Sequence, residues 1–248
     1  MALKSIKVAG HNLLHRLGVD FNKYHPPGSL PTPVETRRIG LLAAHQIDVV
    51  LDVGANTGQY ASGLRRFGYT GRIISFEPIS SVYAQLLQRS AGDQNWECKP
   101  FALGAEAMTT TINIAGNNAE SSSLLAMCDR HVAEAPEAAY VGREEIRIET
   151  LDGVRDSLLK PSDRIWLKLD VQGYEFSVLQ GANGTLKNVY GLEAELSLVP
   201  LYEGGILMAE ALERIGAMGF KLVNVEECFV DAQGLRTLQL NGIFERVL

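Results

Sequence analysis

The sequence predicts an α/β protein: a mainly parallel sheet with helices on both faces. Three observations predict it. Short apolar runs alternate with amphipathic helical stretches, a glycine-bearing turn joins the first strand-like run to the helix after it, and an acidic residue closes the second. With 248 residues, 46% hydrophobic and 21% charged, the chain can bury a substantial core, and its composition excludes a disordered protein. Lys plus Arg is 23 against 29 Asp plus Glu, a formal charge of −6, which suits poorly a nucleic-acid binder working by bulk electrostatics. No nucleic-acid partner is therefore expected. Cys98, Cys128 and Cys228 lie far apart without CxxC spacing, which excludes a disulfide scaffold and the usual zinc patterns and suits a reducing compartment. No apolar run is long enough to span a bilayer. Lys4 and Lys7 are followed by His11, Asn12, His15 and Arg16 rather than by an apolar signal-peptide core, so a cytoplasmic location is expected.

Element by element, Leu3, Ile6, Leu13, Leu14 and Leu17 fall on one stripe of an N-terminal amphipathic helix, with Lys4, Lys7 and Arg16 beside it. Pro26 to Pro33 reads as an extended linker, so residues 1–33 form an extension and 34–248 the main domain. The extension is expected to pack over the cofactor-side cleft or a second copy, with peripheral membrane contact as the alternative. Asp48–Val53 is a buried strand and Thr57–Phe67 a helix. Arg72–Phe76 is a strand, and Ile79, Val82, Tyr83, Leu86 and Leu87 mark a helix. Trp96–Leu103 and Thr109–Ile114 read as strands, as do Ile165–Asp170 and Gly191–Leu198, with a short helix over Tyr174–Gln180. Leu207, Met208, Ala211, Leu212 and Ile215 mark a further helix before the closing strands Phe220–Val225 and Thr237–Arg246. Residues 115–145 are polar, show no strand pattern, and are expected to form a substrate lid.

The chemistry concentrates at strand ends. Asp52-Val53-Gly54-Ala55-Asn56-Thr57-Gly58-Gln59-Tyr60 is a glycine-bearing turn of the kind that binds nucleotide cofactors. Gly54 permits the tight turn, and Gly58 a close approach of backbone or ligand. A dinucleotide pattern would need glycines at Asn56 and Gln59, so a group smaller and less charged than a pyrophosphate is favoured. Glu77, in Phe76-Glu77-Pro78, is placed to accept hydrogen bonds from a ribose diol.

The set Asp52–Tyr60, Phe76–Pro78, Phe101–Gly104, Ser121–Leu124, Thr150–Asp152, Lys168–Glu175, Val178–Ala182, Glu195 and Asn241–Phe244 resembles the FkbM-type S-adenosylmethionine-dependent methyltransferases, in the family's order over residues 48–246. The family usually has Glu at the position of Gln172. The resemblance implies a Rossmann-like class I methyltransferase fold. It also implies that Gly54, Ala55, Asn56 and Gly58 line the methionine part of the cofactor, over Asp52. Glu77 would hold the ribose and Phe101, Ala102 and Leu103 would flank adenine. Thr57, Tyr60, Pro78 and Ser122 complete the cofactor set, and Asp170 would lie near both sulfonium and acceptor. The implied acceptor is a hydroxyl of a sugar, glycolipid or polyketide-type small molecule, and a homo-oligomer is compatible with it.

A hydroxyl acceptor loses a proton, so a base or a metal is needed. Asp170, Glu175 and Glu195 are the carboxylates that the motifs bring to one end of the sheet. Glu193 and Glu195 share a strand face. Asp170 and Glu195, carboxylates at adjacent strand ends, could hold a divalent cation or act as a base and a substrate clamp, and too few oxygen ligands can be placed to favour the metal. Glu175 reads equally well as a charge at a helix N-terminus, and Lys168 as a structural cation. His45 is expected on a helix face and His131 as an exposed loop residue; Ser121–Ser123 serve either ligand binding or a helix cap before Leu124. Two rivals stand beside methyl transfer: a nicotinamide-dependent oxidoreductase on the same fold, and a non-catalytic module that keeps the cofactor fold.

Overall fold

In a computed structural model the structure describes residues 30–247, and Val34–Leu248 forms one compact unit. The expected N-terminal stripe and most of the proline-rich linker lie outside the described residues. Helix α1 (Pro33–Ala44) opens the unit, with Pro33 at its start, where a missing N–H costs nothing. Then come β1 (Val49–Val53), α2 (Gln59–Arg66), β2 (Arg72–Phe76), α3 (Ser80–Ser90), β3 (Trp96–Lys99), β4 (Ala102–Leu103) and β5 (Met108–Ala115). Next are α4 (Asp129–Glu134), β6 (Tyr140–Glu149), α5 (Leu151–Leu158), β7 (Ile165–Leu169), α6 (Glu175–Gln180), β8 (Val189–Ser197), α7 (Met208–Ala217), β9 (Phe220–Val230) and β10 (Thr237–Arg246).

Seven strands form one sheet in the order β3-β2-β1-β7-β8-β10-β9. The first five run parallel; β10 is antiparallel to both β8 and β9. This is the Rossmann-like class I methyltransferase arrangement, and its order reverses between β1 and β7. Strand side chains alternate between the faces, and both faces are buried. Val49, Leu51 and Val53 join Ile165, Leu167, Leu169 and Leu192 against α5, α6 and α7. Val50, Ile73, Trp166 and Ile243 meet Leu42, Ala61, Leu64 and Leu86 of α1, α2 and α3. Gly191 has a packing reason: a Cβ there would stand 2.1 Å from the Trp166 ring.

Three differences from the expected elements matter for the site. Trp96–Leu103 is interrupted at Pro100-Phe101, and β4 leaves the main sheet to join a second one, β4-β6-β5. Residues 140–145 of the expected loop belong to β6, paired antiparallel to β5. Arg143, Glu144 and Glu145 lie on a strand with one exposed face, so charge masks its alternation until Ile146 and Ile148. No helix starts at Leu124; Ser123 Oγ instead accepts from Leu125 N–H and donates to Gln172 O at 2.7 Å, because this segment bridges back to β5 through Asn113.

Candidate active site

Register builds the site in rows. On the face toward α1 and α2, Ser75, Asp52, Lys168 and Glu193 lie abreast across β2, β1, β7 and β8. One step further, at the carboxyl ends, come Gly54, Asp170 and Glu195, the last paired with Asn241 of β10. Ligands bind outside such ends, at the point where strand order reverses. A cavity of about 760 Å³ opens there, in the size range of small-molecule sites.

The turn after β1 is shaped by two close approaches. Gly54 has φ +76 and lies against β7, where a Cβ would stand 1.8 Å from the Asp170 carbonyl oxygen. Gly58 has φ +89 and caps α2; a Cβ there would meet Leu86 and Trp96 at 2.9 Å, so its smallness serves packing rather than a ligand. Asn56, at φ 46, receives the Thr57 amide on its Oδ1 and donates from Nδ2 to Asn118 O, tying the turn to the β5–β6 connection. Glu77 is 5% exposed and accepts from Asn56 N–H at 3.0 Å and Ile79 N–H at 2.9 Å. Burial pushes its carboxyl up to about 7, against the pull of those two amides.

Of the residues read from the sequence, Gly54, Ala55, Asn56, Tyr60, Glu77, Pro78, Ala102, Leu103, Ser122, Asp170 and Glu195 line this cavity. Asp52, Thr57, Gly58 and Phe101 do not line it. Asp52 is fully buried beneath the turn, accepts from Ser75, and lies 3.5 Å from Lys168 Nζ. Phe101 packs on Phe76 behind Ala102 and Leu103. Ser122 Oγ accepts from Ala115 N–H.

Glu175, expected among the reacting groups, is turned onto its own loop instead. Its Oε1 accepts from Val171 and Gly173 N–H, and burial raises its carboxyl to about 7. Glu193 shares the expected strand face with Glu195 but is taken up by α1 and its neighbours. Glu193 gives both oxygens to Arg38 Nε, at 2.8 and 2.9 Å, and also receives Tyr60 Oη and Trp166 Nε1. Among the described residues no group of three or more His, Cys, Asp or Glu is arranged to hold a metal ion.

Asp170 and Glu195 are brought together and bridged by Gln172. Lys168 Nζ reaches Asp170 Oδ2 at 3.1 Å. Burial alone would lower this ammonium, but Asp170 and Asp52 hold it above its usual value, so it stays charged. Gln172, in a left-handed conformation at φ 54, donates from Nε2 to Asp170 Oδ1 and to Glu195 Oε2, both at 2.8 Å. Its Oε1 accepts from Tyr202 Oη at 2.7 Å. Burial first, then Asp170 and Glu175, pushes the Glu195 carboxyl well above the usual carboxylate range.

Sequence reasoning missed Arg38 and Phe229, which reach this cavity from elements that carry no motif of their own, and Tyr202, which reaches the site through Gln172. It also placed two histidines differently. His131 is 4% exposed, packed between the Tyr202 and Phe229 rings at 5.1 Å each, with Nδ1 unpartnered. An apolar wall explains its burial, and an isolated loop histidine gives no pattern that would reveal it. His45 lies just past α1 and bonds Glu245 Oε1.

Among the described residues no helix is long and apolar enough to cross a membrane. Solved structures similar to this chain include an rRNA methylase from Streptococcus thermophilus, 12% identical over 88% of this chain and 99% of that one, with a TM-score of 0.45. A TehB-like SAM-dependent methyltransferase from Corynebacterium glutamicum is 13% identical over 99% of both chains, with a TM-score of 0.40. The pre-rRNA processing protein fibrillarin from Methanococcus jannaschii is 12% identical over 81% of this chain and 66% of that one, with a TM-score of 0.46. No curated protein matches the chain significantly. The model of the methyltransferase FkbM domain matches residues 52–222, well over half of the chain and the whole stretch from the β1 turn to β9. That span settles the family: the chain belongs to the FkbM methyltransferases, which use S-adenosylmethionine.

Proposed function

We propose that the protein methylates a hydroxyl of an uncharged, polyhydroxylated acceptor: a sugar, a glycolipid or a polyketide-type metabolite. The charge of the cavity wall carries this reading. Glu35, Glu77, Glu120, Glu137, Asp170, Glu195 and Glu226 line the cavity with two cations, Arg38 and Lys168. Arg38 is held by Glu193, and Lys168 by Asp170 and Asp52. Among the described residues, this leaves no unengaged lysine or arginine in the wall to meet a phosphate. Carboxylates suit acceptors that give hydrogen bonds and lose a proton, and they repel a nucleic-acid backbone.

The residues present fit the cofactor. In this reading Gly54, Ala55 and Asn56 hold its methionine end, with Thr57, Gly58 and Asp52 shaping the turn from outside the cavity. Glu77 takes the ribose hydroxyls. Pro78, Ala102 and Leu103 flank the adenine, with Phe101 behind them, and Tyr60 and Ser122 complete the wall. When bound, S-adenosylmethionine supplies an electrophilic methyl group on its sulfonium. The chain's own part is to hold the acceptor in line, where orientation gives much of the acceleration, and to take its proton on the Asp170–Glu195 pair. Glu175 contributes at one remove, by holding the Val171–Gly173 backbone beneath that pair. Residues 115–145 are assigned the covering role, with Asn118 already tied to Asn56. The three cysteines are free, in keeping with a cytoplasmic setting.

The test uses methyl-labelled S-adenosylmethionine with a panel of neutral glycosides, glycolipids and polyketides, and with RNA and sugar phosphates beside them. Label transfer to a hydroxyl of a neutral acceptor is expected. Transfer confined to RNA, or to nitrogen, overturns the acceptor assignment.

A further inference from the structure

We propose that the Gln172 side-chain amide, locked by the Tyr202 hydroxyl, organises the two carboxylates as a bound cation would, committing Asp170 and leaving Glu195 as the proton acceptor. This rests on the reading of Asp170 and Glu195 as the groups that handle the acceptor's proton. Tyr202 Oη lies 2.7 Å from Gln172 Oε1 and 3.2 Å from the Ser121 carbonyl, so its one proton goes to the nearer amide oxygen, and the NH₂ group of Gln172 faces the carboxylates. Both N–H bonds are then used, on Asp170 Oδ1 and Glu195 Oε2 at 2.8 Å each. The reverse orientation would set an amide oxygen against two carboxylate oxygens. The NH₂ group thus stands between the two acids, in the position a bridging cation would need.

The two acids are not equivalent in this clamp. Asp170 has Gln172 on Oδ1 and Lys168 on Oδ2, so both of its oxygens are engaged. Glu195 receives Gln172 on Oε2, and no protein hydrogen bond to its Oε1 is present among the described residues. The charged and titratable groups facing it are Lys168 and Asp170 at the end of β7, Glu175 of α6, Tyr202, and Cys228 of β9, with Asp52 beneath Lys168. Burial and the neighbouring acids raise its carboxyl, and the Gln172 bond limits that rise. A base gains efficiency as its pKa approaches the working pH. The reaction balances without a metal: the acceptor O–H breaks and its proton goes to Glu195, while the acceptor oxygen would take the methyl group as the carbon–sulfur bond breaks, that bond's electron pair staying on the sulfur of a neutral thioether, which departs as S-adenosylhomocysteine.

Two measurements on the full chain test this without knowing the acceptor. The first titrates Mn²⁺ alone into wild type and Gln172→Glu, followed by electron paramagnetic resonance. Wild type should bind no tighter than millimolar, and the variant about tenfold tighter or more, because a third carboxylate replaces the amide. Micromolar binding by wild type overturns the proposal, as does a variant that binds no tighter. The second follows the protonated-carboxyl infrared band against pH, identified by its loss in Glu195→Gln. In Gln172→Leu the midpoint should move up, because the donated hydrogen bond is gone; an unmoved midpoint overturns the clamp. S-adenosylhomocysteine should bind wild type and both Gln172 variants alike. Its failure to bind wild type would count against the proposed function, leaving the manganese and infrared results as independent readings of the clamp.

Discussion

Glu77 does two things at once, and they respond to pH with opposite sign. Its oxygens hold the Asn56 and Ile79 amides, and the same carboxylate is assigned the ribose hydroxyls. Its raised value, about 7 without ligand, means that the folded state takes up a proton that the unfolded chain has lost above the ordinary glutamate range. Its contribution to stability is therefore full at acid pH and falls as pH rises through about 7. Ribose binding needs the ionised acceptor, so affinity for S-adenosylhomocysteine should rise between pH 6 and 8. Glu77→Gln should lose about tenfold or more in affinity together with that pH dependence. Calorimetry at three pH values decides it, and unchanged affinity in the variant removes the ribose assignment. His131 behaves in the opposite way. Burial lowers its pKa, so its contribution is present above the usual histidine range and is lost as pH falls through its folded value. With Nδ1 unpartnered, His131→Phe keeps the ring between Tyr202 and Phe229 and should leave stability at pH 8 within about 1 kcal/mol of wild type. The variant should also lack the acid-side loss due to this residue. Thermal melts from pH 5 to 8 check both; a large destabilisation at pH 8 would mean that the imidazole nitrogens have a structural partner.

At the scale of elements, the strands of the main sheet were readable in place, but the reversal of direction at its antiparallel edge was not. β1, β2 and β7 are short, apolar and closed by motif residues, so type and function agree. The reversed direction of β10 leaves no trace in its own pattern, because direction is set by the return from the edge strand β9. β6 was hidden by charges on its exposed face. Helix α1 was hidden by its linker-like start, yet it supplies Arg38, which is buried and holds Glu193 through Nε while approaching Glu226 at 3.5 Å. Arg38→Ala strands a buried carboxylate, which costs about 3–5 kcal/mol when a buried pair is broken. Adding Glu193→Gln should recover a large part of that loss. Urea unfolding of both variants, read by tryptophan fluorescence, tests the link; a single-variant loss below about 1 kcal/mol would show that α1 is held by its apolar residues instead.

Across the whole molecule, the half of the cavity proposed for the cofactor drew attention in the sequence because each of its pieces follows a strand in a fixed motif. The half proposed for the acceptor was readable only in its β5–β6 connection, expected as a lid; the residues of α1 and β9 that complete the wall meet it only through topology. The proposed neutral acceptor rests on charge: seven carboxylates and two engaged cations stand in the cavity wall. A protein that neutralises phosphates loses affinity steeply with salt, because bound counterions are released. Here the opposite is expected. Turnover of a neutral glycoside should change by less than about twofold between 50 and 200 mM salt, whereas phosphate-neutralising contacts would cost orders of magnitude. A phosphorylated analogue of the same glycoside should react at least about tenfold more slowly, and added salt should narrow the gap by screening the carboxylates. Steady-state rates for the matched pair at two salt concentrations decide the matter. A phosphorylated acceptor that reacts faster, with a rate that collapses in salt, would mean that cationic residues beyond those described in this wall govern acceptor choice.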